Sequence, residues 1–513
     1  MEVLRKTKSL CPRCLEVIPA EIVDDSGIVK IRKNCPDHGG FEDVYWSNSE
    51  HYKHFVKFKK EGSKVDNPRT KSGRGCPYDC GICGEHKSHT ILGIVDVTNR
   101  CNMNCPICFA NANAAGYLYE PTKEQIKEML ENLRNNIPVP TPAVQFSGGE
   151  PTMRDDLPEL VEIANDLGFL NVEVDTNGIR CAGDIHYLKR LKDAGTHTFY
   201  LQFDGLDDDA AVTLRGRAMK DVRKKFIENC RKVGFKSVVL VVALTKGVND
   251  SQLGDIVNFA VENYDVVRCI NIQPISFAGR ASKMEVKRNR ITTYDFISLM
   301  EEQTHGKLKK EYFYPVPSMV PVSRFVEVWR GEKKPVFSTH PYCGVATYIV
   351  VDGNGGYTPI NEIVDIDALL TTLEGSAEKL KARSQIEFIS ERIYRAKKLK
   401  VKVGVIKEIL KNVHNPRFRS ILTDVLKKGS FDALANFHGK VIMVSCMHFM
   451  DAWNFDLERL ERCVIHYSLP DGRIIPFCSY NTIHREGVEI KNAEPLAGRM
   501  PERGSTTVPV ENA

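Results

Sequence analysis

Three cysteines, Cys101, Cys105 and Cys108, stand at CxxxCxxC spacing and are followed by the aromatic Phe109. Three thiolates suit three irons of a [4Fe–4S] cluster and leave the fourth iron open to another ligand. A structural zinc ion would ask for four protein ligands, usually as two pairs, and this triplet has no nearby fourth. The chemistry to expect is therefore that of a redox cluster with an open iron. A second triplet, Cys76, Cys80 and Cys83, repeats the spacing, with 17 residues between Cys83 and Cys101. It reads as an auxiliary [4Fe–4S] site whose fourth ligand comes from elsewhere or whose fourth iron is open; His86 and His89 are near, but solvent-facing histidines are the plainer expectation. At the N-terminus, Cys11 and Cys14 are followed after 20 residues by Cys35 and His38. These CPxC and CPxH knuckles present three thiolates and an imidazole to one ion, either tetrahedral Zn²⁺ or a mononuclear iron of rubredoxin type. Cys446, Cys463 and Cys478 form a third group near the C-terminus. Cys181, Cys230 and Cys269 fall in helix or strand patterns without partners and are expected to be buried structural thiols.

The elements that must position these groups are legible from Leu92 onward, where β-branched runs alternate with helical patterns. Six strands are predicted, over Leu92 to Val97, Ala143 to Phe146, Asn171 to Asp175, Thr198 to Phe203, Ser237 to Thr245 and Val267 to Gln273. Thr122 with Gln125 forms a capping box ahead of Ile126, Met129, Leu130 and Leu133 at helical spacing; Gly168 and Gly195 sit where helices should stop. Repeated strand–helix alternation implies an α/β fold with a parallel sheet and right-handed crossovers. The first triplet falls in the loop after the first strand, on the face where barrel enzymes place their chemistry. Ser147, Gly148, Gly149, Glu150 and Pro151 follow the second strand. Later strand ends add Asp175 and Asn177, Gln202 and Asp204, and Asn271 with Gln273 at the same rim.

The octapeptide Cys101 to Cys108, with the GGEP segment one strand later, closely resembles the radical S-adenosylmethionine (SAM) superfamily. The resemblance implies a partial (β/α)6 TIM-like barrel with small N-terminal metal-binding segments and a C-terminal auxiliary-cluster domain. It implies a [4Fe–4S] cluster whose open iron is chelated by SAM, and one-electron cleavage of SAM to methionine and a 5′-deoxyadenosyl radical. Gly148, Gly149 and Glu150 would then run along the SAM amino group, glycine being needed for the close approach. Asp175, Asn177, Gln202 and Asp204 would reach its ribose and carboxylate, with Arg215 and Arg217 as candidate carboxylate partners. The stretch from Cys463 through the turn Pro470-Asp471-Gly472 to Cys478 resembles auxiliary-cluster hairpins found after such barrels, and Cys343 is offered as the fourth ligand. Two auxiliary [4Fe–4S] clusters and one mononuclear Fe or Zn site are expected in all, fed by an electron donor such as a ferredoxin. The whole chain, including Met447 to Asp451 (MHFMD), resembles archaeal radical SAM proteins. Two activities go with that resemblance: tetraether lipid synthesis, which joins terminal methyl carbons of isoprenoid chains, and methylation of a dihydropterin in methanopterin biosynthesis. The lipid reaction is the first expectation and pterin methylation the alternative.

Six regions are expected: a knuckle domain over 1–60, an auxiliary-cluster segment over 61–90, the barrel over 91–285, a mixed helical region over 286–439, a C-terminal cluster domain over 440–500 and a disordered tail over 501–513. A net charge of +5 on 513 residues does not suggest nucleic-acid binding. The 16 cysteines cluster at metal-ligand spacings with no signal peptide before them, which predicts a reducing cytosol. No apolar run approaches the roughly 18 residues of a spanning helix. Lys379 to Lys428 interleave basic residues with Ile386, Ile389, Ile393, Val401, Val403, Ile406, Ile409 and Leu410, an amphipathic pattern that leaves peripheral contact with a membrane surface open.

Overall fold

The computed structural model describes residues 1–113, 115–283, 286–384, 403–416, 418–420, 423 and 439–495. The first four strands, β1 (Glu2–Leu10), β2 (Val17–Asp25), β3 (Ile28–Cys35) and β4 (Gly39–Trp46), form an antiparallel sheet in sequential order. Period-2 alternation drives it: Val29, Ile31, Lys33 and Cys35 of β3 turn inward, while Lys30 and Arg32 face outward. The sheet docks through Arg5, which pairs with the buried Asp456 and with Glu458, and through Tyr45, whose hydroxyl donates to Asp456 at 2.7 Å.

The six predicted barrel strands are present as β5 (Leu92–Thr98), β7 (Ala143–Gly148), β8 (Asn171–Thr176), β9 (Thr198–Gln202), β10 (Val238–Leu244) and β11 (Val267–Pro274), each parallel to its neighbour, with the short β6 (Tyr117–Leu118) between the first two. The sheet does not stop there. Beyond β12 (Tyr314–Pro315), β13 (Gly344–Val351) and β14 (Tyr357–Pro359), the chain returns as β15 (Val441–Met447), parallel to β11, and β16 (Ile465–Ser468), parallel to β5. Eight parallel strands thus surround the barrel interior, where the sequence pattern suggested six. Antiparallel β13 flanks β15, and β17 (Ile474–Pro476) flanks β16, giving a sheet of 12 strands. The last strand, β18 (Glu494–Pro495), pairs with β6. The C-terminal cysteines accordingly lie on or next to strands of the barrel sheet: Cys446 on β15, Cys463 just before β16 and Cys478 in the one-turn helix Phe477–Ser479 after β17.

Alternation along each strand sorts the two faces. Val172 and Val174 of β8 and Phe199 and Leu201 of β9 pack outward in the main core, while Glu173, Asp175, Tyr200 and Gln202 occupy the alternate, inward positions. Helix Lys123–Arg134 carries the expected capping box and buries Ile126, Met129, Leu130 and Leu133; each such side chain contributes about 1.5–3 kcal/mol. Gly168 and Gly195 follow helix ends with φ of 81° and 97°.

Of the basic stretch, Ile386, Ile389, Ile393 and Val401 lie outside the described residues, as does the tail over 501–513. Within the described part, Val405 and Ile409 are buried against Phe325, Leu373 and Ala377, so this apolar face is spent on packing. No helix among the described residues is long and apolar enough to cross a membrane.

Candidate active site and metal centres

The C-terminal ends of the barrel strands open on a cavity of about 270 Å³ lined by Cys101, Cys105 and Cys108 and by Gly148, Gly149 and Glu150. The glycines are required by the protein itself. A Cβ on Gly148, whose φ is 125°, would lie 2.2 Å from the Thr98 carbonyl oxygen, and one on Gly149 would lie 2.2 Å from that of Arg100. The N–H groups of Gly149 and Glu150 donate to those same carbonyls at 2.7 and 2.8 Å. The GGE segment is therefore laid directly on the backbone that leads into the cysteine loop. Glu150 is buried and its carboxylate accepts from the Thr152 N–H (3.2 Å) and hydroxyl (2.5 Å), the Thr176 hydroxyl (2.8 Å) and the Asn177 N–H (2.7 Å). Burial nevertheless lifts its pKa above the ordinary carboxyl value. Its role in this geometry is to tie the end of β7 to the end of β8. Asn177 then donates to Asn102 at 2.6 Å, carrying the tie into the cysteine loop.

Further round, Asp204 is fully buried and pairs with Arg215 through bonds of 2.9 and 2.8 Å, with Arg223 at 3.2 Å, and accepts from Gln202 at 2.8 Å. Burial alone would raise its pKa; the two guanidinium groups overcome this and hold it at about 2. Arg215 and Gln202 line the cavity and Asp204 stands behind them. Arg217 is exposed and is not among the lining residues. Asp175 lines the cavity, and burial raises its pKa to about 7; Glu173, two residues earlier on the same face of β8, is raised to about 8 by burial and by Asp175. One oxygen of Glu173 has no hydrogen-bond partner among the described atoms. Burial likewise pushes the Cys101 thiol up to about 12 and raises Cys105. As free thiols they are protonated; a metal would have to displace those protons.

Several participants had no motif to announce them. Asn113, at φ 64°, accepts from the Cys101 N–H at 3.0 Å and donates to the carbonyls of Cys101 (2.6 Å) and Met103 (3.0 Å), clamping the cysteine loop. Arg280 donates its backbone N–H to the Cys108 carbonyl at 3.1 Å and its side chain to the Ala112 carbonyl at 2.7 Å. The far wall of the cavity comes from the C-terminal region: Met447, Phe449, Met450, Ile465, Tyr467 and Phe477. Part of it, Met447 to Met450, lies in the MHFMD element, whose Asp451 is engaged by Arg290 at 2.8 Å and cannot face the cavity freely.

Among the described residues, Cys11, Cys14, Cys35 and His38 bring their ligand atoms within 4.8 Å of one another, with His38 Nδ1 as the imidazole donor. Bonds of about 2.3 Å to one tetrahedral ion set ligands about 3.8 Å apart, so this group fits a single ion. No other set of three among the described residues brings its ligand atoms so close. Cys76, Cys80 and Cys83 surround a small pocket with His86 and Glu461. His86 and His89 are buried, contrary to the solvent-facing expectation: His86 hydrogen-bonds the Cys463 carbonyl at 2.8 Å, and His89 hydrogen-bonds the Ser63 carbonyl at 3.1 Å. Cys343, Cys463 and Cys478 lie beside one another, and burial pushes the last two thiols up. Cys446 is not brought to them. It occupies an outward position on β15, packs in the main core and hydrogen-bonds Thr293; the strand period turns it away from the hairpin. Cys181 and Cys230 are buried in the same core, and Cys269 is buried beside Ser445.

Comparison with known proteins agrees with this geometry. The family described as Radical SAM superfamily matches residues 95–260, and the family described as HMPTM N-terminal zinc ribbon domain matches residues 3–47. A 7,8-dihydro-6-hydroxymethylpterin dimethyltransferase of Methanocaldococcus jannaschii is 50% identical over 492 residues, covering 96% of each chain. A GTP 3′,8-cyclase of Clostridium acetobutylicum is 24% identical over 325 residues, covering 60% of this chain and 96% of the cyclase. An Fe-coproporphyrin III synthase of Methanosarcina barkeri is 32% identical over 193 residues, covering 37% of this chain and 45% of the synthase.

Proposed function

The chain belongs to the radical SAM family that includes the 7,8-dihydro-6-hydroxymethylpterin dimethyltransferase of M. jannaschii, and from that membership we propose that it forms carbon–carbon bonds on a reduced pterin by C-methylation. The near full-length relationship carries the reading. When bound to Cys101, Cys105 and Cys108, a [4Fe–4S] cluster and SAM supply a 5′-deoxyadenosyl radical able to take hydrogen from an unactivated C–H bond. The chain's own residues do the rest. Arg215, oriented by Asp204, binds the carboxylate of the cofactor's methionine moiety as a charge-assisted partner. Glu150 and Asn177 hold the rim in register. Asp175, which like Glu150 lines the cavity without an arginine partner and whose burial raises its pKa to about 7, would offer a hydrogen bond to the polar edge of the pterin. The apolar wall limits the water that can reach the radical.

A second reading rests on that wall. Met447, Phe449, Met450, Ile465 and Phe477 present hydrocarbon rather than hydrogen-bonding surface to the cavity, which favours joining terminal methyl carbons of isoprenoid ether lipids. Anaerobic incubation of the reconstituted chain with SAM and dithionite separates the two. With 7,8-dihydro-6-hydroxymethylpterin and a one-carbon donor of the reduced-folate class, the first reading expects a methylated pterin by mass spectrometry. Coupled lipid, two hydrogens lighter per new bond, with the pterin unchanged, would replace it by the second.

A further inference from the structure

The cavity has one apolar wall, and the rest of its lining is rich in carboxamides: Gln145, Asn177, Gln202, Asn271, Gln273 and Asn481. Four of these are committed to the protein. Asn177 donates to Asn102 at 2.6 Å and accepts from the Ile179 N–H at 3.0 Å, and Gln202 donates to Asp204 at 2.8 Å. Asn271 accepts from the Ser445 hydroxyl at 3.4 Å, while Asn481 donates to the Phe477 carbonyl at 3.0 Å and accepts from Arg485 at 2.8 Å. The side chains of Gln145 and Gln273 have no hydrogen-bond partner among the described residues. Gln273 is half-buried, whereas Gln145 is only 6% exposed.

Strand period explains why Gln145 is buried and faces the cavity. Val144 and Phe146 of β7 pack outward in the main core, so Gln145 between them turns inward. It precedes Ser147 by two residues and so lies about 7 Å deeper in the barrel. In the sheet register it stands between Ile94 of β5 and Glu173 of β8. Neither holds its amide: Ile94 is hydrocarbon, and Glu173 spends one carboxyl oxygen on Asn171 at 2.6 Å and has no partner at the other. A buried amide without a partner is costly, which points to a ligand that supplies one. The wall adds flat apolar faces, since the Phe449 and Phe477 rings stack with centroids 3.9 Å apart and planes at 25°.

A carboxamide presents an N–H donor and a carbonyl acceptor side by side in one plane. Its two-point complement is a cyclic amide, a ring N–H next to a ring carbonyl, which a dihydropterin carries on its pyrimidine ring. A hydrocarbon chain offers neither group and would leave the amide buried and unpaired. We propose that Gln145 is the specificity-determining residue of the cavity, pairing edge to edge with the ring N–H and carbonyl of a flat lactam heterocycle while the aromatic wall covers the ring face. The inference rests on the pterin reading of this cavity and adds to it the residue that recognises the ring.

The test crosses one change in the protein with one in the ligand. Isothermal titration of the reconstituted full chain, with SAM present, compares 7,8-dihydro-6-hydroxymethylpterin with its derivative methylated on the lactam nitrogen. In the parent the methyl group should weaken binding about tenfold or more, because it removes the donor and strikes the amide. Q145A should weaken binding of the unmodified pterin about tenfold. Having lost the amide and gained room, it should also cut the methyl penalty below about threefold, the non-additivity expected of groups in contact. An equal methyl penalty in the parent and Q145A would overturn the inference. Thermal melts check that Q145A folds; should it not, Q145N, which withdraws the amide by one methylene, takes its place with the same expected fall in the penalty. If the parent binds and methylates the pterin while the penalties are equal, the inference fails and the proposed function stands. If the parent binds neither compound, both fail.

Discussion

Replacing Asp204 by asparagine isolates what the fourth barrel strand contributes. The carboxylate sits between two guanidinium groups, at 2.8 Å from Arg215 and 3.2 Å from Arg223, whose side chains are 14% and 2% exposed. Removing one partner of a buried ion pair leaves the other charge uncompensated and costs about 3–5 kcal/mol. With two arginines orphaned, D204N belongs at the upper end of that range, a large share of a typical total stability of about 5–15 kcal/mol. The pH dependence follows from the sign of the shift. Asp204 is held at about 2 against an ordinary 3.8, so the unfolded chain takes up the proton first as pH falls. The stabilisation is complete above about pH 4 and drains as pH approaches 2, and D204N should flatten that part of the profile. Guanidinium melts followed by circular dichroism measure the stability. Isothermal titration with SAM measures the consequence for Arg215, where R215Q should weaken binding by about 1.5–3 kcal/mol, roughly 10- to 150-fold. D204N melting within about 1 kcal/mol of the parent, together with R215Q binding SAM within threefold, would refute the reasoning.

Four further outcomes are expected. G148A or G149A should cost more than the about 1–3 kcal/mol of ordinary overpacking, because backbone carbonyls and not side chains obstruct the added methyl; iron uptake by the Cys101 site should fall with it, read by visible absorbance. C446S should leave iron content unchanged, whereas C343S, C463S and C478S should each lower it. Asp175 and Glu173, raised to about 7 and 8, bind protons in the folded chain that the unfolded chain has lost, so stability should fall as pH rises from about 5 to 8; D175N with E173Q should abolish that slope in thermal melts. A strong chelator should strip the Cys11, Cys14, Cys35 and His38 site and unfold the N-terminal sheet, detected as increased amide exchange over residues 2–46.

The barrel's first six strands were readable because each is a short β-branched run separated from the next by an amphipathic helix. β15 was not, and β16 was read only as the first strand of the Cys463–Cys478 hairpin and not as part of the barrel, since both lack a repeating helix between them and reach the sheet only after a long excursion. That omission also hid the apolar wall and misplaced Cys446, whose outward position follows from strand period once β15 is recognised. Cysteine spacing marked the candidate metal sets, yet spacing says nothing of Asn113 or Arg280, which act through backbone carbonyls. Glu150 and Asn177, singled out as cofactor contacts, do line the cavity and Asp204 stands behind Arg215; what the sequence did not announce is that their hydrogen bonds also brace the rim and orient its neighbours. His86 and His89 looked solvent-facing because their partners, Cys463 and Ser63, are brought to them only by the fold.

The central claim is that the Cys101 triplet generates a radical that takes hydrogen from a carbon of the substrate in this cavity. Incubating the reconstituted chain with SAM, dithionite, a one-carbon donor of the reduced-folate class and dihydropterin deuterated at the carbons to be methylated tests it directly. The account predicts one deuterium transferred into 5′-deoxyadenosine, no 5′-deoxyadenosine from C105A, and methylated pterin from the unaltered chain. Methylated pterin formed equally by C105A, with no deuterium in the nucleoside, would contradict it.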